Sequence, residues 1–306
     1  MKSNNVFTYM QECVKAKRDM GKESTAEIYQ AACNRLCAFW KKSTMCWKDV
    51  TEELIDGFMV HLERKKLKKN TINAYISSLR AMYNSAVKKG LVKIPANPFL
   101  HLQLKREDTE KRALPRSVIE KLAGLDLRKY PKLRLALDCY IFSYLACGMP
   151  FVDLAHLTSE NIHGDRIIYN RVKTKVKVSV GLTPGMKVIL ARYRRKGSIY
   201  LFPLLPDEEN VSHKVYKNCL HCYNARLKKI GEMAGLETKL TSYVARHSWA
   251  SEAHEQDLPM SVISQALGHS SEDTTRIYLE RLSQRKLNKA NMKVIRGVDG
   301  IVCKCA

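Results

Sequence analysis

The chain has 306 residues, of which 53 are Lys or Arg and 30 are Asp or Glu, so its formal net charge is +23 at pH 7. This length is sufficient for two domains, and 45% hydrophobic residues can build folded cores, which argues against a disordered polycation. A folded protein with this charge is expected to bind a polyanion. No apolar run approaches the roughly 20 residues of a membrane helix and the N-terminus lacks a signal peptide, so a cytoplasmic location without membrane association is predicted.

The first hundred residues have the apolar spacing of helices and almost no strand signal. Ser24, Thr51 and Asn70 stand where helix starts are expected. Gly90 stands where the last helical pattern ends, just before a proline-containing stretch. A four-helix domain is therefore predicted over residues 1–100, with helices at 6–20, 24–42, 51–65 and 70–90.

Residues 101–115 are charged and aperiodic, which is typical of an interdomain linker. Residues 116–306 form the predicted second domain. They are helical except for two short β-branched runs, which predict a small antiparallel sheet with Lys173 and Thr174 in its turn. The predicted fold is mainly α, with strands at 166–172 and 176–182 and later helices at 240–255, 259–267 and 271–282.

The ten cysteines are scattered through helical segments, which is typical of a protein from a reducing compartment. Two pairs have the spacing of zinc knuckles, Cys219 with Cys222 and Cys303 with Cys305. They lie about 80 residues apart, whereas zinc ribbons place two such pairs close together. Free thiols are therefore expected, and no metal.

The residues that can carry chemistry lie between 241 and 278. Arg246 and His247 fall in the middle of a predicted helix, and His269 follows Gly268, which ends another. Tyr278 lies nine residues after His269, about two turns into the next helix. A guanidinium binds phosphate oxygens, an imidazole donates a hydrogen bond, and a phenol can form a covalent link, so these groups predict phosphodiester transfer.

Each group also has a structural interpretation when it is considered alone. Arg246 is compatible with an ion pair to Asp153 or Glu252, and His269 with a hydrogen bond to carbonyls at a helix end. Tyr278 is compatible with a packed aromatic residue on an amphipathic helix. The joint spacing of the three groups favours the chemical interpretation.

With these motifs the chain resembles the tyrosine recombinases of the phage integrase family. The resemblance rests on Ala-Arg-His-Ser within a helix, Leu-Gly-His at residues 267–269 and the following Tyr278, and it extends over essentially the whole chain. It implies an N-terminal four-helix SAM-like core-binding domain and a C-terminal mixed α/β catalytic domain with a small antiparallel sheet. It also implies cleavage and rejoining of double-stranded DNA through a 3′-phosphotyrosyl intermediate and a Holliday junction, in integration, excision or inversion.

The resemblance further implies that no cofactor is needed and that the chain is a monomer in solution and a homotetramer on synapsed sites. Tyr278 matches the nucleophile, Arg246 the second catalytic arginine, and His269 the residue that contacts the scissile phosphate. Lys173 matches the lysine that protonates the leaving 5′-oxygen, although Lys175 and Lys177 compete for this role. The carboxylate that follows the family's first arginine is matched by Asp153.

The sequence departs from the family pattern at two positions. Pro150 stands where the first catalytic arginine is expected, and Tyr243 replaces a histidine three residues before Arg246, with His247 present beside that arginine. A subgroup of the family resembles this chain in lacking the first arginine. Three cations are candidates to replace it: Arg134, Arg171 and Lys175.

Contacts to DNA are predicted in the N-terminal domain as well as in the catalytic one. Residues 1–112 carry 22 basic and 12 acidic side chains, and the rest of the chain carries 31 and 18, so both parts are positive. A basic run followed by a polar helix favours phosphate and groove contacts. The residues concerned are Lys65, Lys66, Lys68, Lys69, Thr71, Asn73 and Arg80.

Two other functions compete with recombination. Pro150 and Tyr243 are compatible with a catalytically weakened DNA-binding protein that retains the fold. A type IB topoisomerase shares the chemistry, but its larger build and the motif spacing in this chain argue against it. Because the chain starts at the core-binding helices, a recombination system without an arm-binding domain is expected, such as inversion or resolution.

Overall fold

The computed structural model describes residues 5–92, 97–105, 107, 112–279 and 291–292, and divides the chain into two units, Met1–Glu110 and Lys111–Ala306. The side chains of residues 277 and 278 and the C-terminal tail outside 291–292 lie outside the described residues. The first unit is helical, as predicted. Its four helices are α1 (Val6–Asp19), α2 (Glu23–Trp40), α3 (Glu52–Arg64) and α4 (Lys69–Lys88).

The predicted helix starts are correct for α3 and displaced for α2 and α4. The Thr51 side chain accepts a hydrogen bond from the Leu54 amide and caps α3. By contrast, the N-cap of α2 is Lys22 and that of α4 is Lys68, each two residues before the expected Ser24 and Asn70. Asn70 exchanges two hydrogen bonds with the backbone of Glu107, at 2.8 and 3.1 Å, so its polar side chain fixes a distant segment instead of a helix end.

Part of the predicted linker packs on the first unit. Leu102 and Leu104 lie against the core of α1–α4, and the Asn73 amide donates to the Lys105 carbonyl at 2.9 Å. Leu102 and Leu104 explain this packing, because burial of an apolar side chain is favourable even when the surrounding stretch is charged. Residues 106 and 108–111 of the linker lie outside the described residues.

The second unit combines eight described helices with a three-stranded sheet, and this confirms the mainly α fold. The helices are α5 (Arg116–Ala123), α6 (Pro131–Leu145), α7 (Phe151–Ala155), α8 (Pro184–Tyr193), α9 (His213–Met233), α10 (Ser242–Glu255), α11 (Met260–Leu267) and α12 (Glu272–Leu279). The strands are β1 (Ile162–His163), β2 (Arg166–Asn170) and β3 (Lys177–Gly181).

The sheet is antiparallel in the order β1-β2-β3, with Arg166 opposite Gly181 and Asn170 opposite Lys177. The predicted hairpin is therefore present, and Val178 is buried while Lys177 is exposed, as the alternating pattern indicated. The two-residue strand β1 had no sequence signal, since it is too short to show a period.

A small apolar cluster joins α10, α11 and α12. Ile263 and Leu267 from α11, Ala250 and Ala253 from α10 and Leu279 from α12 are buried together. Leu279 is the residue after Tyr278, so this cluster holds the helix that carries the predicted nucleophile. None of the helices in the described parts of the chain combines the length and the apolar character that crossing a membrane requires.

Candidate active site

Arg246 is a buried residue of α10, only 3% exposed, and backbone carbonyls fix its guanidinium. Its Nη1 donates to the Gly148 carbonyl at 3.0 Å, and its Nη2 donates to the Leu267 carbonyl at 2.6 Å. Gly148 has a left-handed φ of +71°, and a Cβ there would lie 2.6 Å from the Arg246 Cα. A glycine is therefore required at this position for α10 to approach the loop after α6.

Arg171 lies directly after β2 and reaches the same carbonyl as Arg246. It is 5% exposed, and its Nη1 donates to the Leu267 carbonyl. Its Nε lies 2.6 Å from the Oδ2 atom of Asp153, as an ion pair between buried groups. The other Asp153 oxygen accepts a hydrogen bond from the Val172 amide at 2.8 Å. The carboxylate in α7 therefore positions Arg171 beside Arg246.

These three charged groups leave an excess of positive charge in a buried region, since two guanidiniums face one carboxylate. Burial raises the pKa of the Asp153 carboxyl, whereas the Val172 amide and the Arg171 guanidinium favour its charged form. Two cations close together repel each other more strongly in a protein interior than in water. An anion such as a phosphodiester would relieve this repulsion, and guanidinium groups match its oxygens geometrically.

The turn between β2 and β3 brings Lys173 to the same place. The Thr174 hydroxyl donates to the Gly268 carbonyl at 3.1 Å, which ties the turn to the end of α11. Lys173, Lys175 and Lys177 are all exposed, and Lys173 is the one whose charge lowers the pKa of His269. The turn that carries Lys173 is thus tied to Gly268, the residue before His269.

His269 begins the segment between α11 and α12. It follows Gly268, which ends α11 with a φ of +62° and whose Cβ, if present, would lie 2.9 Å from the Arg171 Cγ. The His269 Nδ1 atom lies 2.7 Å from the hydroxyl oxygen of Thr275 in α12. Burial, together with the charges of Arg246, Arg171 and Lys173, lowers the pKa of His269 from 6.5 to about 4, so the ring is neutral near pH 7.

We expect the contribution of His269 to DNA cleavage to be constant from about pH 5.5 to about pH 8. The folded pKa is about 4, so the neutral ring persists above this value and is lost only as the pH falls through it. The measurement is the ratio of the single-turnover cleavage rates of the wild type and His269→Gln at each pH. A ratio that changes around pH 6.5, the ordinary value for histidine, would contradict a neutral donor.

Tyr243 and His247 lie one turn apart on α10 and contact each other. Their ring centroids are 4.7 Å apart at an interplanar angle of 82°, an edge-to-face arrangement. Tyr243 is half exposed, whereas Arg246 between them in sequence is buried. The two aromatic residues thus form a pair on α10, the helix from which Arg246 projects.

Tyr278 lies within α12, but its side chain is outside the described residues, so its role as nucleophile stays a prediction. Thr275, three residues earlier on the same helix, has no exposed surface and contacts His269. Sequence reasoning did not single out Thr275. The available signal is its spacing of three residues from Tyr278, because residues three apart lie on the same side of a helix.

Arg134, one of the three candidates to replace the missing arginine, lies away from Arg246. Its Nε is 3.1 Å from the Oδ1 atom of Asp138, a carboxylate that also binds Arg192 and the Tyr193 hydroxyl. Arg134 is near the start of α6, and about 16 Å of helix separates it from the end of α6 that precedes Gly148. This cluster ties α6 to α8 and does not reach Arg246.

The residues predicted to contact DNA in the first unit differ in exposure. Thr71 and Arg80 are partly exposed, whereas the four lysines are exposed: Lys65, Lys66, Lys68 and Lys69. Asn73 is only 9% exposed, and its amide is bound to the Lys105 carbonyl. The structure therefore gives Asn73 a structural role within the unit, unlike the lysines.

Comparisons with known proteins give one consistent result. Residues 5–103 match the model described as phage integrase SAM-like domain, and residues 113–285 match the model described as phage integrase family. The chain is 23% identical to the tyrosine recombinase XerC of Shewanella amazonensis, over 76% of this chain and 77% of that protein. It is 24% identical to the tyrosine recombinase XerA of Pyrococcus furiosus, over 79% and 94% respectively.

A similar solved structure is that of the Tn1549 transposon integrase in complex with a circular intermediate DNA. The TM-score is 0.67 and the identity is 19%, with coverage of 95% of this chain and 99% of that chain. This degree of similarity shows that the two chains share a fold.

Proposed function

Because the chain belongs to the phage integrase family and is a tyrosine-type site-specific DNA recombinase, we propose that it cleaves and rejoins DNA through a 3′-phosphotyrosyl link at Tyr278. The Tyr278 hydroxyl loses its proton to water as its oxygen attacks the scissile phosphorus, and the bond from phosphorus to the 5′-oxygen breaks. The leaving oxygen takes a proton from Lys173. Attack by a 5′-hydroxyl of the partner strand reverses these steps, and two rounds pass through a Holliday junction.

The transferred phosphodiester stays in the tyrosyl link, so its energy is conserved and ATP is not required. The negative charge that develops on the phosphorane oxygens is stabilised by Arg246, Arg171 and His269. Fixed donors of this kind act strongly because they need no reorganisation during the reaction. The chemistry therefore needs neither cofactor nor metal.

The observation that carries this proposal is the convergence of Arg171 and Arg246 on the Leu267 carbonyl, next to His269. Pro150 makes the chain similar to the subgroup that lacks the first arginine. We assign the task of that arginine to Arg171. Asp153 supports the assignment because it pairs with Arg171 and so positions the guanidinium. Lys175 is exposed and remains a secondary candidate.

We propose double-stranded DNA as the partner, bound by a monomer that forms a homotetramer on two synapsed sites. We propose that the recombined sites belong to a mobile element and that the protein acts in the cytoplasm. The exposed lysines at the start of α4 and just before it, Lys65, Lys66, Lys68 and Lys69, contribute phosphate contacts. The wide distribution of positive charge supports contacts from both units.

DNA binding is expected to weaken steeply with salt. Each phosphate contact releases counterions, so the logarithm of the binding constant falls linearly with the logarithm of the salt concentration. Alanine at these four lysines is expected to reduce the slope by about 0.9 for each lysine that binds a phosphate in the wild type. The check is fluorescence anisotropy with labelled duplex, and a flat response between about 50 and about 200 mM salt would contradict phosphate-dominated binding.

A suicide substrate separates recombination from its two rivals. A duplex with a nick close to the cleavage position loses a short fragment after cleavage, so the covalent complex accumulates and is visible in a denaturing gel. A complex together with strand exchange on intact sites is the expected result. A complex without exchange indicates a relaxing enzyme, and specific binding without a complex indicates a weakened DNA-binding protein.

A further inference from the structure

The contact between His269 and Thr275 links the site to the helix of the nucleophile. The two side chains belong to different segments, and the Nδ1 to Oγ1 distance of 2.7 Å is that of a good hydrogen bond. Thr275 is completely buried on α12, three residues before Tyr278. Leu279 on the same helix is buried against α10 and α11. The hydrogen bond therefore joins the segment after α11 to the first turns of α12.

The direction of this hydrogen bond follows from the number of available protons. A threonine hydroxyl has one proton, and His269 Nδ1 is the side-chain partner that the described contacts give it. If the Nδ1 atom donated instead, the hydroxyl proton would be buried without an acceptor, at a cost of about 1–3 kcal/mol. The hydroxyl therefore donates, and Nδ1 accepts.

The protonation of the ring completes the assignment. The neighbouring Arg246, Arg171 and Lys173 disfavour a second proton on the imidazole and, with burial, keep the pKa of His269 low, at about 4. A neutral imidazole carries one proton, and when Nδ1 accepts a hydrogen bond that proton is on Nε2. An Nε2–H group can donate to a phosphate oxygen, whereas the lone pair of the other tautomer would repel it.

We propose that Thr275 is a positioning residue that holds His269 in the Nε2–H tautomer, so that Nε2 carries the proton that is donated to the scissile phosphate. The contact with the phosphate rests on the proposed function, and the tautomer rests on the hydrogen bond to Thr275. The inference links two parts of the site, since the hydroxyl that sets the tautomer lies on α12, the helix that carries Tyr278.

The tautomer is measured directly on the DNA-free protein. Long-range ¹H–¹⁵N correlation spectra of ¹⁵N-histidine-labelled protein identify the protonated ring nitrogen, and the His269→Gln variant assigns the signals. The wild type and Thr275→Ser are expected to show Nε2–H alone. In Thr275→Val, which keeps the shape and loses the hydroxyl, the two nitrogen shifts are expected to move towards the average of the two tautomers.

Single-turnover cleavage of the suicide substrate supplies the second readout. Thr275→Val is expected to cleave about tenfold more slowly, which corresponds to about 1.4 kcal/mol of lost transition-state stabilisation, with unchanged DNA affinity. Its Tm is expected to be lower, because the Nδ1 atom of His269 loses a buried hydrogen bond, so the rates are compared well below that Tm. Thr275→Ser is expected to stay within about twofold of the wild type. The matched control is Thr274→Val, which removes an exposed hydroxyl one residue away and is expected to change neither the rate nor the spectrum.

Three results would overturn the inference: an Nδ1–H tautomer in the wild type, an unchanged spectrum and rate in Thr275→Val, or a slow Thr275→Ser with normal Tm. The proposed function fails in a different way. In that case no variant and no wild-type protein forms the covalent complex, while the spectra still show the hydroxyl holding the Nε2–H tautomer.

Discussion

The Tyr278→Phe variant is expected to form no covalent complex with a suicide substrate, while it binds the same DNA with unchanged affinity. Phenylalanine keeps the ring and removes the one oxygen that attacks phosphorus in the proposed mechanism. Loss of a nucleophile typically reduces the rate by a factor on the order of 10⁴ or more. The complex is measured on denaturing gels with end-labelled DNA, and the affinity by anisotropy.

Tyr130→Phe is the matched control for this experiment. Tyr130 is 51% exposed in the segment before α6, and the proposed mechanism gives it no role. It is expected to form the covalent complex at the wild-type rate. A complex that persists in Tyr278→Phe would show that another residue is the nucleophile.

The second large effect is expected at Arg171. Removal of one fixed donor to a developing oxyanion costs roughly 10²–10³-fold in rate, so Arg171→Ala is expected to reduce single-turnover cleavage by at least about a hundredfold. Arg171→Lys keeps the charge but loses the planar arrangement of donors, so an intermediate rate is expected. Arg134→Ala is the control variant, because Asp138 still binds Arg192 and Tyr193 and the residues around Arg246 are unchanged. Its rate is expected to stay close to that of the wild type.

Arg171→Ala also leaves the Asp153 carboxylate buried without its cation, so a lower stability is expected. Breaking a buried ion pair typically costs about 3–5 kcal/mol, and the assays therefore need a temperature well below the Tm of the variant. Added guanidinium ion at millimolar concentration provides a second test, since it can occupy the vacated space and restore part of the rate. A folded Arg171→Ala protein with wild-type cleavage would contradict the assignment of Arg171.

The helices and the hairpin could be predicted from the sequence because their signals are local. The apolar spacing of α1–α4 and the alternation around Val178 each reflect the exposure of one face of one element. The left-handed end of α11 at Gly268 was predictable for the same reason, because glycine tolerates positive φ without strain. The order of Arg246, His269 and Tyr278 was sufficient to predict the family, whereas the role of each of these residues stays a prediction.

The rest depends on contacts between distant segments. The proposal of Arg171 over Arg134 and Lys175 rests on the ion pair between Arg171 and Asp153, and no local sequence pattern indicates this contact. Asn73 has the side chain of a DNA-contacting residue, yet it binds the Lys105 carbonyl, 32 residues away. Thr275 could not be predicted, because a buried threonine on a helix has no chemical signal until His269 is seen next to it.

The most direct test of recombination through Tyr278 is to map the covalent link. The complex formed on a suicide substrate is digested with protease and nuclease, and the modified peptide is sequenced by mass spectrometry. We expect a peptide containing Tyr278 with the nucleotide attached through its 3′-phosphate, and a free 5′-hydroxyl on the released strand. A nucleotide on a different residue, or a tyrosine joined to a 5′-phosphate, would contradict the mechanism.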